Sequence, residues 1–309
     1  MSGFKIVILL PYFGNFPNYI HFFFKTCAYN KDITFLVFTD NNFSEYTKIE
    51  NIHFIPSTLT EFNALASTKL GAEVNITNAY KLCDFKPMYG LIYEDYIKDY
   101  DFWGYCDTDI IFGNLKNILT NEVLDKYEII SSHPQYMSGP FSLYKNVKEV
   151  NNLFFQSKDW KEVVLNKNYI SFDEASDVIS KLWEGYNIFD FESKIESMTH
   201  LVQNKKKTNI KAYFSNFITE RIPHHAKLIW KEGRLEDTEG HELYIFHFLV
   251  YKTSLLFNVP LQLVIDLFYF TMHGFFLDNF KSYTFTWSRS IINNFSGKVL
   301  KKVKRKLYL

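Results

Sequence analysis

Two kinds of hydrophobic spacing alternate along the first third of the chain. Residues 4–11 (FKIVILLP) and 33–40 (ITFLVFTD) are short, nearly unbroken apolar runs of strand length, and the segment 16–29 between them reads as a helix. Strand, helix and strand in succession predict a parallel sheet with helices on its faces. A short strand at 52–56 and helical stretches at 59–70 and 87–97 continue the alternation, the last with Pro87 in its first turn. Residues 101–113 (DFWGYCDTDIIFG) then form an apolar strand that runs into two aspartates separated by one residue, followed at once by a second apolar stretch. Beyond it, 127–132 and 141–144 read as strands joined by a polar loop with Gly and Pro. Residues 147–155 and 173–183 read as helices, the second capped by Ser171 or Asp173.

The pattern weakens between 188 and 210, which predicts loops or an insertion. Residues 228–230 and 234–237 flank Lys231-Glu232-Gly233 as a hairpin would, and 243–251 is a strongly aromatic strand or buried segment. From Pro260 onward Leu261, Val264, Ile265, Phe268, Met272 and Phe275 follow helical spacing. The last residues gather Lys298, Lys301, Lys302, Lys304, Arg305 and Lys306 around Val299, Leu300, Val303 and Leu307, a basic amphipathic ending. The expected division is an α/β domain over 1–255 and a helical, basic, amphipathic extension over 256–309.

Composition narrows the function classes. With 32 Phe and 21 Tyr the chain has ample material for a packed interior. Its 34 basic and 34 acidic residues cancel, leaving no overall positive field to draw in a nucleic acid. Cys27, Cys83 and Cys106 are widely spaced in apolar or aromatic surroundings, without a CxxC or Cys/His pattern, so reduced thiols of a cytoplasmic protein are expected. The run 6–10 is too short for a signal peptide, and Pro260, Gln262, Asp266 and His273 interrupt 259–277, so no membrane span is expected there. No GxGxxG follows the first strand and no GxxxxGK[ST] occurs, which removes the dinucleotide and P-loop fingerprints.

Asp107 and Asp109 are the residues whose placement suggests chemistry. Side chains at i and i+2 of a strand share a face, so D-x-D at a strand exit can aim both carboxylates at one point. Such a pair suits a hard cation, Mg²⁺ or Mn²⁺, which is commonly held by carboxylates together with substrate phosphates. A plain strand-to-turn pair of capping aspartates is the structural alternative. Because parallel sheets bind ligands beyond the carboxyl ends of their strands, Tyr12, Phe13, Gly14 and Asp40 are candidate neighbours of a nucleotide. Lys81, Asp84 and Lys86 precede the D-x-D strand, where cations can meet a diphosphate and a carboxylate can accept from hydroxyls, with helix capping as the alternative. On the acceptor side Asp173 and Glu174 are candidates for a general base, against the alternative of acids favoured at a helix N-terminus. His133, Ser138 and Gly139 are candidate pocket residues from their loop. His224-His225 lacks a third ligand at sensible spacing.

The block WGYCDTDIIFGNL, preceded by KLCDFKPMYGLIYEDYI, resembles a family of GT-A-like glycosyltransferase-type proteins from bacterial surface-polysaccharide (capsule and lipopolysaccharide) gene clusters, over residues 79–115. The resemblance implies a GT-A-like, Rossmann-like mixed sheet flanked by helices, and transfer from a nucleotide-diphosphate sugar, a UDP-sugar by default. In that family type the D-x-D motif binds a divalent metal and through it the donor diphosphate, which carries onto Asp107, Thr108 and Asp109. A later histidine often completes the metal site and a lysine touches the diphosphate. His247 and Lys252 in ELYIFHFLVYK are the matching positions, although the glycines and proline usual in those motifs are missing, and His241 is the fallback ligand. The expected acceptor is a lipid-linked or free oligosaccharide, with the basic tail touching the inner face of the cytoplasmic membrane. Two other readings stay open. One is a non-catalytic interaction protein of such a cluster, and the other is an Asp-dependent phosphatase, for which the doublet comes late and Ile111 replaces the expected Thr.

Overall fold

A computed structural model of the chain describes residues 3–206, 208–224, 226–260 and 266–277. Two compact units emerge. The first comprises Met1–Phe16, Lys31–Asp107 and Lys116–Phe217, the second Pro17–Asn30, Thr108–Leu115 and Ile218–Leu309. In chain order the strands are β1 (Ile6–Tyr12), β2 (Ile33–Thr39), β3 (Ile52–Pro56), β4 (Phe102–Cys106), β5 (Ile110–Phe112), β6 (Ile129–Ser131), β7 (Phe141–Lys145) and β8 (Ala212–Phe214). They continue with β9 (Ile218–Thr219), β10 (Leu228–Lys231), β11 (Arg234–Asp237), β12 (Glu242–Leu243), β13 (Ile245–His247), β14 (Leu267–Thr271) and β15 (Gly274–Phe276).

The first unit holds a seven-stranded sheet in the order β3-β2-β1-β4-β7-β6-β8. Strands β3, β2, β1 and β4 run parallel, while β7 is antiparallel to both β4 and β6, so the sheet is mixed, as the alternating pattern and the resemblance lead one to expect. The fold class is α/β. Six of the seven β1 residues, Ile6 to Pro11, are buried, which is what a central parallel strand covered on both faces requires. Its neighbours β2 and β4 lie on opposite sides, so the order of the chain reverses at β1 and the carboxyl ends of β1 and β4 open at a switch point. At Gly104, in the middle of β4, a Cβ would collide with the Ser142 carbonyl and the Leu143 side chain, so the close β4–β7 approach depends on glycine.

The helix expected at 59–70 is present as Leu59–Leu70, held at one end by a Thr58/Glu61 capping box and ended by Gly71 in the left-handed conformation. Other expected helices break into shorter pieces. Residues 87–97 form successive turns, Lys86–Met88, Tyr89–Ile92 and Glu94–Tyr96, and a Cβ at Gly90 would collide with the Trp103 ring. The helix expected from 173 starts only at Ile179, after a 3₁₀ turn at Ser176–Val178, with Ser171 and Ser176 both at positive φ. The core of this unit packs Val7, Leu9, Phe62, Phe85, Met88 and Trp103 together, with Trp103 stacked on Tyr144 at 4.5 Å.

The second unit holds an antiparallel sheet, β12-β11-β10-β14-β15, and a smaller one, β5-β13-β9. The expected hairpin is there: Lys231 pairs with Arg234 across Glu232 and Gly233, both at positive φ. The helical spacing from Leu261 to Phe275 is corrected in its described part, because Leu267–Thr271 and Gly274–Phe276 form a hairpin beside β10. Phe268 and Phe270 alternate at period two, and Gly274 takes φ 100 at the turn, so aromatic strand chemistry outweighs the coincidental helical spacing. Much of the phenylalanine is spent here: Phe22, Phe246, Phe248, Phe268 and Phe275 pack around Trp230, whose Nε1 donates to the Phe112 carbonyl at 2.8 Å. Residues 261–265 and the basic tail at 298–309 lie outside the described residues. Among the described residues no helix is long and apolar enough to cross a membrane.

Candidate active site

In the first unit the exit of β4 is fixed by the Asp107 N–H donating to the Pro140 carbonyl at 3.0 Å. The Asp107 carboxylate then meets Lys86, whose Nζ donates to Asp107 Oδ1 at 2.6 Å and to the Gly139 carbonyl at 2.8 Å. Asp173 Oδ2 stands 3.8 Å from the same nitrogen, and the Tyr105 ring lies beneath it at 5.5 Å. Burial disfavours the Lys86 charge, yet the surrounding acids Asp107 and Asp173 outweigh it and hold the ammonium well above its ordinary range. Burial does the opposite to Asp173, raising its carboxyl well above the usual range despite Lys86, with the charge of Glu174 adding to the rise.

The acid pair is framed by short contacts. Tyr169 Oη lies 3.1 Å from Asp173 Oδ1 and 3.3 Å from Glu174 Oε2, and Glu174 Oε1 accepts the Gly139 N–H at 3.2 Å. A Cβ on Gly139 would come within 2.9 Å of both acids, so the loop passes this close only because it carries glycine there. Asp173 and Glu174 therefore do not sit at a helix N-terminus, and the capping alternative is set aside. Tyr169 had no signal of its own in the sequence.

Lys81 and Asp84 come out differently from expectation. Their side chains form an internal ion pair at 2.7 Å, nearly sealed from solvent. Asp84 also accepts the Ile170 and Phe172 N–H groups at 2.9 and 2.7 Å, and Lys81 donates to the Asn168 carbonyl at 2.9 Å. Their bonding capacity is used in holding the 168–172 segment against the body of the unit, so they support the acid pair's loop instead of meeting a donor.

At the carboxyl ends of β1 and β2, Gly14 takes φ 87 with open space where a Cβ would point, and its N–H donates to Asp40 Oδ1 at 2.9 Å. Tyr12 Oη donates to the Asn15 carbonyl at 3.3 Å. Asn41, missed in the sequence, ties the same loop by donating to the Gly14 carbonyl and accepting the Phe16 N–H. Phe13 is a correction: its ring is buried in the core beside Phe62. Ser138 is another. It is buried, its hydroxyl accepts from Ser132 Oγ at 2.8 Å, and it serves the loop's own structure. His133 stacks on Tyr136 at 3.7 Å.

In the second unit Asp109 is buried between two cationic or protonatable groups. Lys252 Nζ lies 2.8 Å and His247 Nε2 3.3 Å from its Oδ2. Burial alone would raise the Asp109 carboxyl, but His247 and Lys252 together hold it well below the usual carboxylate range. Strand pairing explains the meeting: β13 lies antiparallel to β5 with His247 opposite Ile110, and the Phe248 N–H donates to the Asp109 carbonyl at 3.0 Å. Behind the imidazole, Glu220 Oε1 stands 2.9 Å from His247 Nδ1. Glu220 follows β9, the two-residue strand beside β13, and no sequence pattern pointed to it. The neighbouring Thr108 is buried.

The donor set can be tested for a cation. A carboxylate only accepts, so Nδ1 donates to Glu220; the charge by which His247 lowers Asp109 is that of an imidazolium whose Nε2–H faces Oδ2, and a neutral ring would turn a lone pair there instead. Two acceptor atoms 3.3 Å apart are reconciled by a proton or by a metal ion between them. Within this unit Asp109 offers a carboxylate oxygen and His247 a ring nitrogen, and a carboxylate with an imidazole is a ligand pair that a divalent ion accepts. His241, the fallback, lies elsewhere in the unit, on the exposed turn with Asp237.

Residues 8–256 match the family model described as "Family of unknown function (DUF6625)". The chain belongs to that family. Among curated proteins no sequence matches this DUF6625 chain. Several solved structures are similar in part. The galactosyltransferase LgtC with donor and acceptor sugar analogues aligns over 51% of this chain and 64% of its own, at 16% identity and TM-score 0.31. The apo form of the glycosyltransferase GlyE of Streptococcus pneumoniae TIGR4 aligns over 70% of this chain and 46% of its own, at 12% identity and TM-score 0.35. An active-site mutant of LgtC aligns over 67% of this chain and 86% of its own, at 12% identity and TM-score 0.31. The DUF6625 chain thus spans under two thirds of the length of the first two.

Proposed function

We propose that this chain is a divalent-metal-dependent glycosyltransferase of GT-A type, using a nucleotide-diphosphate sugar, a UDP-sugar by default, and an oligosaccharide or lipid-linked acceptor of bacterial surface-polysaccharide synthesis. The observation that carries the reading is Asp109 facing His247, with Glu220 behind the ring, just past Asp107 at the exit of a central strand. The D-x-D at a sheet switch point and the parallel β1–β4 core support it, as does the resemblance of residues 79–115. On this reading residues 1–255 carry the chemistry. Asp107, Asp109 and His247 hold Mn²⁺ or Mg²⁺, which when bound neutralises charge on the departing diphosphate. Lys252 reaches the donor diphosphate, and Lys86 keeps Asp107 aligned. Glu174, oriented by Tyr169 and the Gly139 N–H, takes the acceptor hydroxyl's proton if transfer inverts the anomeric centre. Asp173, sealed from solvent, holds Tyr169 in place. The Gly14 loop, with Asp40, is the place for the nucleoside, and the 256–309 extension brings the basic tail to the inner face of the cytoplasmic membrane.

Screening nucleotide sugars for Mn²⁺-dependent hydrolysis and for a metal-dependent gain in thermal midpoint tests the proposal. Turnover of at least one donor is expected, with loss in Asp109→Asn. A folded protein that neither hydrolyses nor is stabilised by any donor with metal favours the interaction-protein reading instead.

A further inference from the structure

Three large aromatic rings stand exposed within seven residues of the first unit: Trp183, Tyr186 and Phe189 are 60%, 53% and 51% accessible. Exposed aromatic surface of this concentration is uncommon without a ligand to cover it. The rings are also held in place. Trp183 Nε1 donates to Tyr136 Oη at 3.3 Å, Tyr186 meets Phe191 edge-on at 5.4 Å, and Phe189 meets His200 edge-on at 6.0 Å. Beneath them Tyr136, Ala175, Val178, Leu182 and Ile188 form a small core of their own. Along the chain that core runs from Ala175, the residue after Glu174, through Leu182, the residue before Trp183, to Ile188, the residue before Phe189. Tyr136 likewise belongs to the loop whose Gly139 touches Glu174. The exposed ridge and the acid pair are therefore built on one packed element.

We propose that this ridge is a subsite for a neutral oligosaccharide chain, which stacks its sugar rings on Trp183 and its neighbours. The proposal rests on the glycosyl-transfer reading above and names the class of acceptor for it. A pyranose presents an apolar C–H face to the negative face of an aromatic ring and keeps its hydroxyls at the rim, where the Tyr186 hydroxyl is within the same segment. Rings already fixed by partners lose little freedom on binding. Charge decides between occupants. Residues 177–196 carry Asp177, Glu184, Asp190, Glu192 and Glu196 against Lys181 and Lys194; Lys194 Nζ is 4.0 Å from Asp177, and Lys181 Nζ is 3.2 Å from Glu184 and lies over the Tyr186 ring at 5.9 Å. An acidic surround of this kind repels anionic lipid and acidic polysaccharide, and leaves a neutral glycan as the fitting partner.

The test is an array of neutral and acidic oligosaccharides probed with the full chain without metal or nucleotide, beside vesicles of phosphatidylcholine with and without phosphatidylglycerol. Retention on at least one neutral oligosaccharide is expected, weaker on acidic ones, falling at least about tenfold in Trp183→Ala and more in Trp183→Ala/Tyr186→Ala. Trp183→Phe should restore part of it. Should the alanine variants fail to fold, Tyr186→Asn alone carries the test, with a several-fold loss expected. No retention on any neutral oligosaccharide, retention indifferent to these changes, or preference for vesicles overturns the proposal. Because binding is read without donor, a negative donor screen leaves this result standing, and the two ideas fail separately.

Discussion

The second unit contains two histidine–carboxylate pairs that look alike on paper. His241 and Asp237 lie 3.0 Å apart with side chains 72% and 29% exposed, whereas His247 and Asp109 lie 3.3 Å apart at 4% and 5%. The exposed pair raises the His241 value through its hydrogen bond and charge from Asp237, and water screens the rest. Around the buried pair Lys252 and Glu220 have been added, and Asp109 is driven far down. Residue type and distance are nearly shared, so the difference lies in burial: desolvation turns a surface contact into a tightly coupled group of ionisable side chains.

Breaking the comparison at its strongest point, Asp109→Asn is expected to reduce metal-dependent turnover by at least about a hundredfold, since several kcal/mol of charge stabilisation go with the metal. Next, Glu220→Gln should keep the fold but weaken metal affinity by about 10- to 100-fold, read from the Mn²⁺ dependence of rate; an unchanged metal requirement would remove Glu220 from the site. A smaller effect comes with pH. The folded value of Asp109 is depressed, so its contribution to stability is present above the ordinary carboxylate range and is lost as pH falls. Asp173 has a raised folded value, so its contribution is present below that range and is lost as pH rises. Denaturation measured across pH should accordingly lose its acid-side slope in Asp109→Asn and part of its alkaline-side decline in Asp173→Asn. Slopes of the same sign in both would sink the contrast. Smallest of all, Asp237→Asn should leave turnover and thermal midpoint unmoved, and a measurable loss would mean that exposure is not what separates the two pairs.

These pairs also mark how far the sequence reaches. Asp107 and Asp109 stand out in the sequence because side chains at i and i+2 of a strand exit share a face, whereas His247 enters only through what the resemblance implies. Glu220 was not legible, since its approach to His247 depends on β9 pairing beside β13, a register that two residues of strand cannot announce. Lys81 and Asp84 show the opposite error: their charges suggested a ligand, while tertiary packing had already joined them to each other and to the 168–172 backbone. The 267–276 hairpin was hidden by apolar residues that satisfy a helical period and a strand period at once.

Gly139 sets a boundary for anyone reshaping this protein. Its missing side chain is what lets one loop serve Lys86 through its carbonyl and Glu174 through its amide. An alanine there would have to push the Asp173 and Glu174 carboxylates aside, so redesign of selectivity has more room on the outer aromatic residues than at this turn.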